Sequence, residues 1–339
     1  PRSAGADPGP ACYGRGGTRP TLTDANLVLG YLDAGFFLGG AMKLDKAAAE
    51  KAIAEGISKA LKLETLRAAW GIHDLISEDV ARAFRVHATE RGFDYRSGSM
   101  VAFGGSGPLH AASIARKLKI PRAIFPVGAG VMSALGLLIS PLAFEVARSR
   151  ARPCRRYRCR VFCKHLCHAR SRCLGIPPAR GVADGDIRIT RRLDMRYQGQ
   201  GHEIEVSLPE APSAGPLFAG MPELFAQAYE KSYSIRLDEP VEIVNWKVEA
   251  IGPAPSLGDG YTVTGTAAAS KAQKGTRLAY DPARGGMTEW PVYDRYALAP
   301  GATVTGPALI EERESTCVIG SGDKVTVDAR YNLIAELEN

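Results

Sequence analysis

Apolar residues recur at helical spacing in two long stretches near the start of the chain, which predicts helices over about residues 45–61 and 64–91. The second carries Ile72, Leu75, Ile76, Val80, Ala83, Phe84 and His87 on one side. The pattern then shortens. An apolar run, Met100 to Phe103, stops at Gly104-Gly105-Ser106-Gly107, and an alanine-rich helical pattern runs from Pro108 to Leu118. A strand is expected at 122–126, leading into a second glycine-rich turn, Val127-Gly-Ala-Gly-Val-Met-Ser133, which opens an apolar helix. Residues 143–147 read as a further strand. Strands and helices that alternate, with glycine at each strand-to-helix turn, predict an α/β sheet domain. Ligands of such sheets bind beyond the carboxyl ends of the strands, where both glycine turns fall.

Later the pattern becomes mostly β. Residues 187–197 alternate, Gly199-Gln-Gly201 turns, and 202–208 alternate again, as in a hairpin. A linker at 209–216 precedes a helix over 217–233 and a strand over 241–251. After the Pro, Ser and Gly-rich residues 252–260, short strands such as 316–319 and 323–328 suggest a small β domain, with Cys317 as a buried, inert thiol. The opening 24 residues are dense in Gly and Pro and form loop. They lead to a short helix ending near Gly30, with Thr23 or Asp24 as its N-cap. The division expected is 1–150, an anomalous window 151–180, an α+β continuation 181–255 and a C-terminal β domain 256–339.

Composition changes this picture in one place. With 339 residues, 45% apolar and 23% charged, the chain suits a soluble protein of two or three domains. It has no apolar run of ~18 residues and no signal-peptide pattern, so no membrane partner is expected. It opens on Pro1 without an initiator Met, and is read as the C-terminal part of something longer. The net charge of +7 is local: Ala151 to Arg180 holds eight Arg, one Lys and no acidic residue, together with five of the seven Cys. Cys154, Cys159, Cys163, Cys167 and Cys173 contain no CxxC pair, which argues against a zinc site built with His165 or His168. An arginine-rich nucleic-acid patch has little aromatic support there. A locally shifted reading frame is the preferred origin of the window, and no nucleic-acid partner is expected.

The chemistry centres on Gly104, Gly105, Ser106 and Gly107. A strand, a glycine turn and a helix start gather backbone N–H groups and the positive end of a helix dipole at one point, which suits phosphate. Asp7, among the early glycines, is either a metal or substrate ligand or the carboxylate of its own Asx turn. Asp24 is a site candidate or a helix cap. His73 and His87 stand alone on helices and read as packing or surface residues.

Several separated motifs share a further property. Ser3-Ala-Gly-Ala-Asp-Pro-Gly-Pro-Ala-Cys-Tyr-Gly14, Thr23-Asp-Ala-Asn-Leu-Val-Leu-Gly30, Phe36-Phe-Leu-Gly-Gly40, Ala102-Phe-Gly-Gly-Ser-Gly-Pro-Leu-His-Ala111, Asp194-Met-Arg-Tyr-Gln-Gly-Gln200 and Gly306-Pro-Ala-Leu-Ile-Glu-Glu312 resemble, in order and spacing, the hydantoinase A-type subunit of the hydantoinase/oxoprolinase family. The resemblance stops at residues 151–180. It implies an actin-like ATPase (sugar kinase-like) lobe followed by a smaller, mostly β domain, and ATP with Mg²⁺ as cofactors. It also implies ring opening of a cyclic amide (hydantoin or 5-oxoproline) or carboxylation of an acetone-type ketone, through phosphoryl activation of an oxygen, in the cytoplasm and beside a B-type subunit. By the same resemblance Gly104, Gly105, Ser106 and Gly107 contact the nucleotide. Asp7 and His110 become candidates for a catalytic, substrate or metal site, with Asp24 a weaker one. His110 serves equally as a hydrogen-bonded support beneath the loop. The family's N-terminal half, with its phosphate loop, has no counterpart here, so this chain would be inactive alone. Two further classes remain: an assembly module that only docks a partner, and a zinc or nucleic-acid protein built on the Cys/Arg window.

Overall fold

The computed structural model describes residues 3–154, 184–209, 214–255 and 269–338. Most of the Arg/Cys window, including Cys159 to Cys173, lies outside them; Cys154 is described and is buried. In chain order the main elements are α1 (Leu22–Val28), α2 (Lys46–Ile53), α3 (Thr65–Glu90), β1 (Met100–Val101), α4 (Gly107–Leu118), β2 (Arg122–Phe125) and α5 (Met132–Ile139). They continue with β3 (Ala143–Pro153), β4 (Arg188–Tyr197), β5 (Ile204–Ser207), α6 (Ala214–Tyr233) and β6 (Val241–Ile251). The last stretch holds β7 (Gln273–Asp281), β8 (Gly286–Asp294), β9 (Thr303–Thr305), β10 (Ala308–Glu311), β11 (Thr316–Ile319), β12 (Lys324–Val327) and β13 (Leu333–Glu336). Among the described residues no helix is long and apolar enough to cross a membrane.

Contacts divide the chain into two compact units: Pro1–His87 with Asp94–Leu135 and Gly260–Asn339, and Ala88–Phe93 with Gly136–Asp259. This differs from the division expected in chain order. The C-terminal strands are not a body of their own. β13 pairs antiparallel with β2, setting Leu333 opposite Phe125 and Ala335 opposite Ala123, and the sheet runs β1-β2-β13-β12-β9. Alternation had revealed which faces of these strands are apolar but not which strand they join. Their shared core includes Ala111, Ala115, Phe125, Val325, Leu333 and Ala335. A second sheet, β11-β10-β8-β7, packs its own apolar face around Tyr31, Tyr280 and Trp290.

α4 lies against this assembly through its small residues, Ala111, Ala112 and Ala115, which let the helix approach closely. Its far end is pinned by Arg116, whose guanidinium meets the fully buried Asp323 at 2.5 Å. Lys117 reaches Asp74 on α3 at 2.9 Å. The other unit carries the sheet β3-β6-β4-β5, with Leu193, Met195, Trp246 and Val248 packed on Met221 and Phe225 of α6. There the predicted hairpin is β4 and β5, and the 241–251 strand has the bounds expected.

α3 corrects the sequence reading. Leu75, Val80, Ala83, Phe84 and His87 are exposed, Ile72 and Ile76 are half-buried, and the buried positions are Ala68, Ala69, His73, Ser77, Ala81 and Ala88. Ala69, His73, Ser77 and Ala81 follow one another at intervals of four residues, so they form a single stripe. Small and polar side chains make up this stripe, and Leu66, Trp70 and Ile72 pack beside it on the core. A hydrophobicity count cannot see this, because two members of the stripe are polar.

Leu333, fully buried, is the test of whether the C-terminal strands belong to the first unit. Leu333→Ala is expected to cost about 2–5 kcal/mol in urea unfolding followed by tryptophan fluorescence. A loss below about 1 kcal/mol would make β13 peripheral to that core.

Candidate active site

Strand β1 ends two residues before the glycine turn, and α4 begins at Gly107. The turn is held from behind: the Gly104 N–H donates to the Ala129 oxygen at 2.8 Å. Beyond it, among the described residues, no group accepts from the N–H of Gly105, Ser106 or Gly107. Ser106 is the N-cap, yet its hydroxyl makes no capping bond. Three consecutive donors therefore open a helix of 12 residues. A Cβ on Gly105 would stand 3.3 Å from the Glu314 oxygen, a tight contact, and Gly104 has a φ of +89° that disfavours a side chain. On Gly130 of the second glycine loop it would stand 2.4 Å from the Glu314 Cβ. The β10–β11 hairpin tip thus presses on both loops at once.

Beneath the turn lies a buried polar chain. Ser77 Oγ donates to the His73 carbonyl oxygen at 2.9 Å, so it accepts from His110 Nδ1 at 3.2 Å. That assigns the His110 proton to Nδ1 and leaves Nε2 to accept from Asn26 Nδ2 at 3.4 Å. The Asn26 oxygen then accepts from His73 Nδ1 at 2.8 Å. The two imidazoles stack with centroids 4.2 Å apart. Burial lowers the His73 pKa to about 3, helped by the neighbouring His110 and by Lys117, and burial lowers that of His110 to about 4. Both rings are neutral at pH 7, as the hydrogen-bond chain requires. Of the two roles open to His110, its geometry is that of a support: both ring nitrogens are engaged inside the protein.

Asp24 is also saturated. Thr21, not Thr23 or Asp24, is the N-cap of α1, and Asp24 is the third residue of a capping box. Its carboxylate accepts from the N–H groups of Ala11 (3.3 Å), Cys12 (2.8 Å) and Thr21 (2.9 Å), and from the Thr21 hydroxyl (2.7 Å). It binds the Gly/Pro-rich opening loop to α1. Asp7, in the same loop, is exposed. Among the described residues no group of three or more His, Cys, Asp or Glu side chains is placed to hold a metal ion.

A cavity of about 260 Å³ opens beside Gly105 and Ser106. Tyr13, Leu32, Phe36, Phe37 and Leu109 give it an apolar lining, and Asn26 and Thr23 a polar one. The hairpin supplies Glu311 to Thr316. Two of its carboxylates are buried and paired with cations, of which only Arg295 is itself buried. Glu311 meets Arg277 at 2.5 Å and Lys274 at 2.8 Å, while Glu312 Oε1 lies 3.3 Å from Arg295 Nε. Burial raises the Glu312 pKa, although Arg295 works against it.

Asn26, Phe36, Glu311 and Glu312 lie within the family-like motifs, but no local pattern there marks these side chains for a role. His73 and Ser77 lay in no motif; their spacing of four on one helix was the available signal. The Asp194 motif sits in the other unit and serves structure there. Asp194 receives Asn245 and Lys247, and Gln200 donates to the Tyr229 hydroxyl at 2.9 Å.

The neutral imidazoles make the fold acid-sensitive. Unfolded histidines titrate near ~6.5, whereas these two accept protons in the folded chain only near 4 and 3. Between those values the unfolded chain binds more protons, so stability falls as pH drops. The expected loss from pH 7.5 to 4.5 is on the order of 5 kcal/mol from the two rings together, measured by urea titration. His110→Leu should flatten that slope while lowering stability at pH 7.5, since it strands the Asn26 amide. An unchanged slope would mean that the rings are charged in the fold.

Comparison with known proteins agrees with this layout. Residues 1–146 match the family model for hydantoinase/oxoprolinase, and residues 178–336 match that for the hydantoinase/oxoprolinase C-terminal domain. The chain is 32% identical over 350 residues to the caprolactamase subunit alpha of Pseudomonas jessenii, covering 98% of this chain and 49% of that subunit. It is 32% identical over 356 residues to the acetophenone carboxylase gamma subunit of Aromatoleum aromaticum, covering 99% of this chain and 47% of that one. The crystal structure of the ATP-dependent caprolactamase from Pseudomonas jessenii superposes with a TM-score of 0.75 at 30% identity, covering 100% of this chain and 50% of that chain. The chain therefore spans about half the length of these relatives. The fold class is the one expected, an α/β lobe of actin-like ATPase type followed by mostly β sequence. With two models of one family matched in order along it, the chain belongs to the hydantoinase/oxoprolinase family.

Proposed function

We propose that this chain forms one wall of the ATP site in a cytoplasmic, ATP-dependent hydrolase of cyclic amides, of the hydantoinase A type and working with a B-type subunit. The observation that carries this reading is the set of three free N–H donors, at Gly105, Ser106 and Gly107, at the N-terminus of α4. Backbone donors at a helix N-terminus bind phosphate without a charged side chain. The tight approach of Glu314 to Gly105 and the positive φ of Gly104 favour glycine at these two positions. Gly104, Gly105, Ser106 and Gly107 would hold the nucleotide. When bound, ATP supplies the phosphoryl group that turns the oxygen of a poorly electrophilic carbonyl into a leaving group.

The chain's own residues position and insulate. Asp24 fixes the opening loop that carries Asp7, and the neutral His73 and His110 brace the start of α4 without adding charge beneath the phosphates. Phosphoryl transfer depends mainly on such positioning and on charge neutralisation. No step is assigned to Mg²⁺ on the described residues. Asp7 is the open carboxylate of the opening motif and stays a candidate for substrate contact.

A second reading, ATP-dependent carboxylation of a ketone, is favoured by the equal similarity to the acetophenone carboxylase subunit. Both begin with activation of an oxygen. The protein containing this chain, purified with a B-type partner, is expected to hydrolyse ATP when hydantoin or a lactam is added and to release the ring-opened acid. ATP consumption that needs a ketone and bicarbonate instead would assign the carboxylase. Gly105→Val should lower turnover by about 100-fold or more with assembly intact. Intact turnover with lost assembly would make the turn a docking element.

A further inference from the structure

The glycine turn has donors for phosphate but no cation of its own. Between Arg96 and Arg116 the chain carries no Lys or Arg, and those two are paired with Asp94 and Asp323. His110, beneath the turn, is neutral. A helix start supplies roughly half a positive charge, which leaves most of the charge of a polyphosphate uncompensated. Beside the adjoining cavity, Lys274 and Arg277 are committed to Glu311, and Arg295 to Glu312. Arg313 is different. It is exposed, it lines the same cavity as Gly105 and Ser106, and no other Lys or Arg does so among the described residues. Its guanidinium has neither an ion pair nor a hydrogen bond among the described residues. Asp33 in that lining is paired with Arg277, whereas Glu314 adds an unpaired negative charge, so an anion bound at the turn needs a cation there all the more.

An unpaired exposed arginine is by itself an ordinary solvated side chain, but this one is seated. Its backbone N–H donates to the Tyr296 hydroxyl at 3.2 Å. The next residue, Glu314, abuts Gly105 through its carbonyl oxygen, and consecutive Cα atoms lie about 3.8 Å apart. The Arg313 side chain therefore starts one residue from the turn. Gly39, with a φ of +65°, makes room for its stem: a Cβ there would stand 3.1 Å from Arg313 Nε and 3.2 Å from its Cγ.

We propose that Arg313 is the phosphate-binding cation of the glycine turn and supplies the charge that the three N–H donors lack. The assignment rests on the ATP reading above. A guanidinium stays charged at any working pH, and its planar fork meets two phosphate oxygens at once. The backbone donors fix where phosphate sits, and Arg313 offsets its charge. Charge that shifts among the phosphate oxygens during transfer is then met without moving a proton.

Isothermal titration of the protein containing this chain with inorganic tripolyphosphate, ATP and adenosine tests the assignment without turnover. Arg313→Ala is expected to weaken tripolyphosphate and ATP about tenfold or more and to leave adenosine unmoved. Arg313→Lys, which keeps the charge and loses the fork, should fall between. Added KCl should weaken ATP binding less in Arg313→Ala than in the wild type. Arg330→Ala, which removes an exposed cation of the same unit outside the cavity lining, should change nothing. Unchanged tripolyphosphate affinity in Arg313→Ala, or an equal loss in Arg330→Ala, would overturn the assignment. A parallel loss of adenosine binding would overturn it too, because it marks a structural role. If Gly105→Val abolishes tripolyphosphate binding and Arg313→Ala does not, the turn keeps its phosphate and Arg313 loses its role. A wild-type protein that binds neither tripolyphosphate nor ATP would remove the ATP reading and the assignment together.

Discussion

Asn26 is gripped from two sides by imidazoles that must stay neutral, and the arrangement of the candidate site follows from that grip. The contact joins α1, α3 and α4 through one amide, with Ser77 closing the chain of donors and acceptors. Each proton position is forced by the next, so the network has one self-consistent state. Protonating His110 would set two donors against each other at its Nε2 and the Asn26 amide, and protonating either ring would leave a charge in a buried setting. The start of α4 is therefore fixed in place by these hydrogen bonds together with the buried Leu109, and the glycine turn can stay open toward ligand.

The remaining walls arrive from far along the sequence. The hairpin tip at 312–315 returns near the end of the chain to press on Gly105 and Gly130. It can do so because β13 and β12 have joined the sheet begun by β1 and β2. Burying Glu311 and Glu312 in that tip is costly unless each has a cation, and Lys274, Arg277 and Arg295 fill that need from β7 and from the residue after β8.

Much of this was legible in the sequence, and the exceptions share a cause. Glycine turns, caps and alternating strands are local, so the turn at Gly104–Gly107, the helix after it and the 241–251 strand were read closely. The buried face of α3 was not. Leu75, Val80 and Phe84 carry more hydrophobicity than Ala69, His73, Ser77 and Ala81, yet the second set is inside, because satisfied polar groups cost little to bury. The affiliation of the C-terminal strands was hidden for another reason. A two-residue period tells which side chains share a face, but pairing with β2 is settled by packing some two hundred residues away. Asn26, Glu311 and Glu312 lay within motifs whose order was recognised, but their roles depend on partners that no motif contains.

The central claim is that the turn at Gly104–Gly107 holds phosphate through its free backbone donors. A crystal structure of the protein with a non-hydrolysable ATP analogue tests it most directly. Phosphate oxygens within hydrogen-bond distance of the Gly105, Ser106 and Gly107 N–H groups are the predicted result. Phosphates bound away from the turn would contradict it.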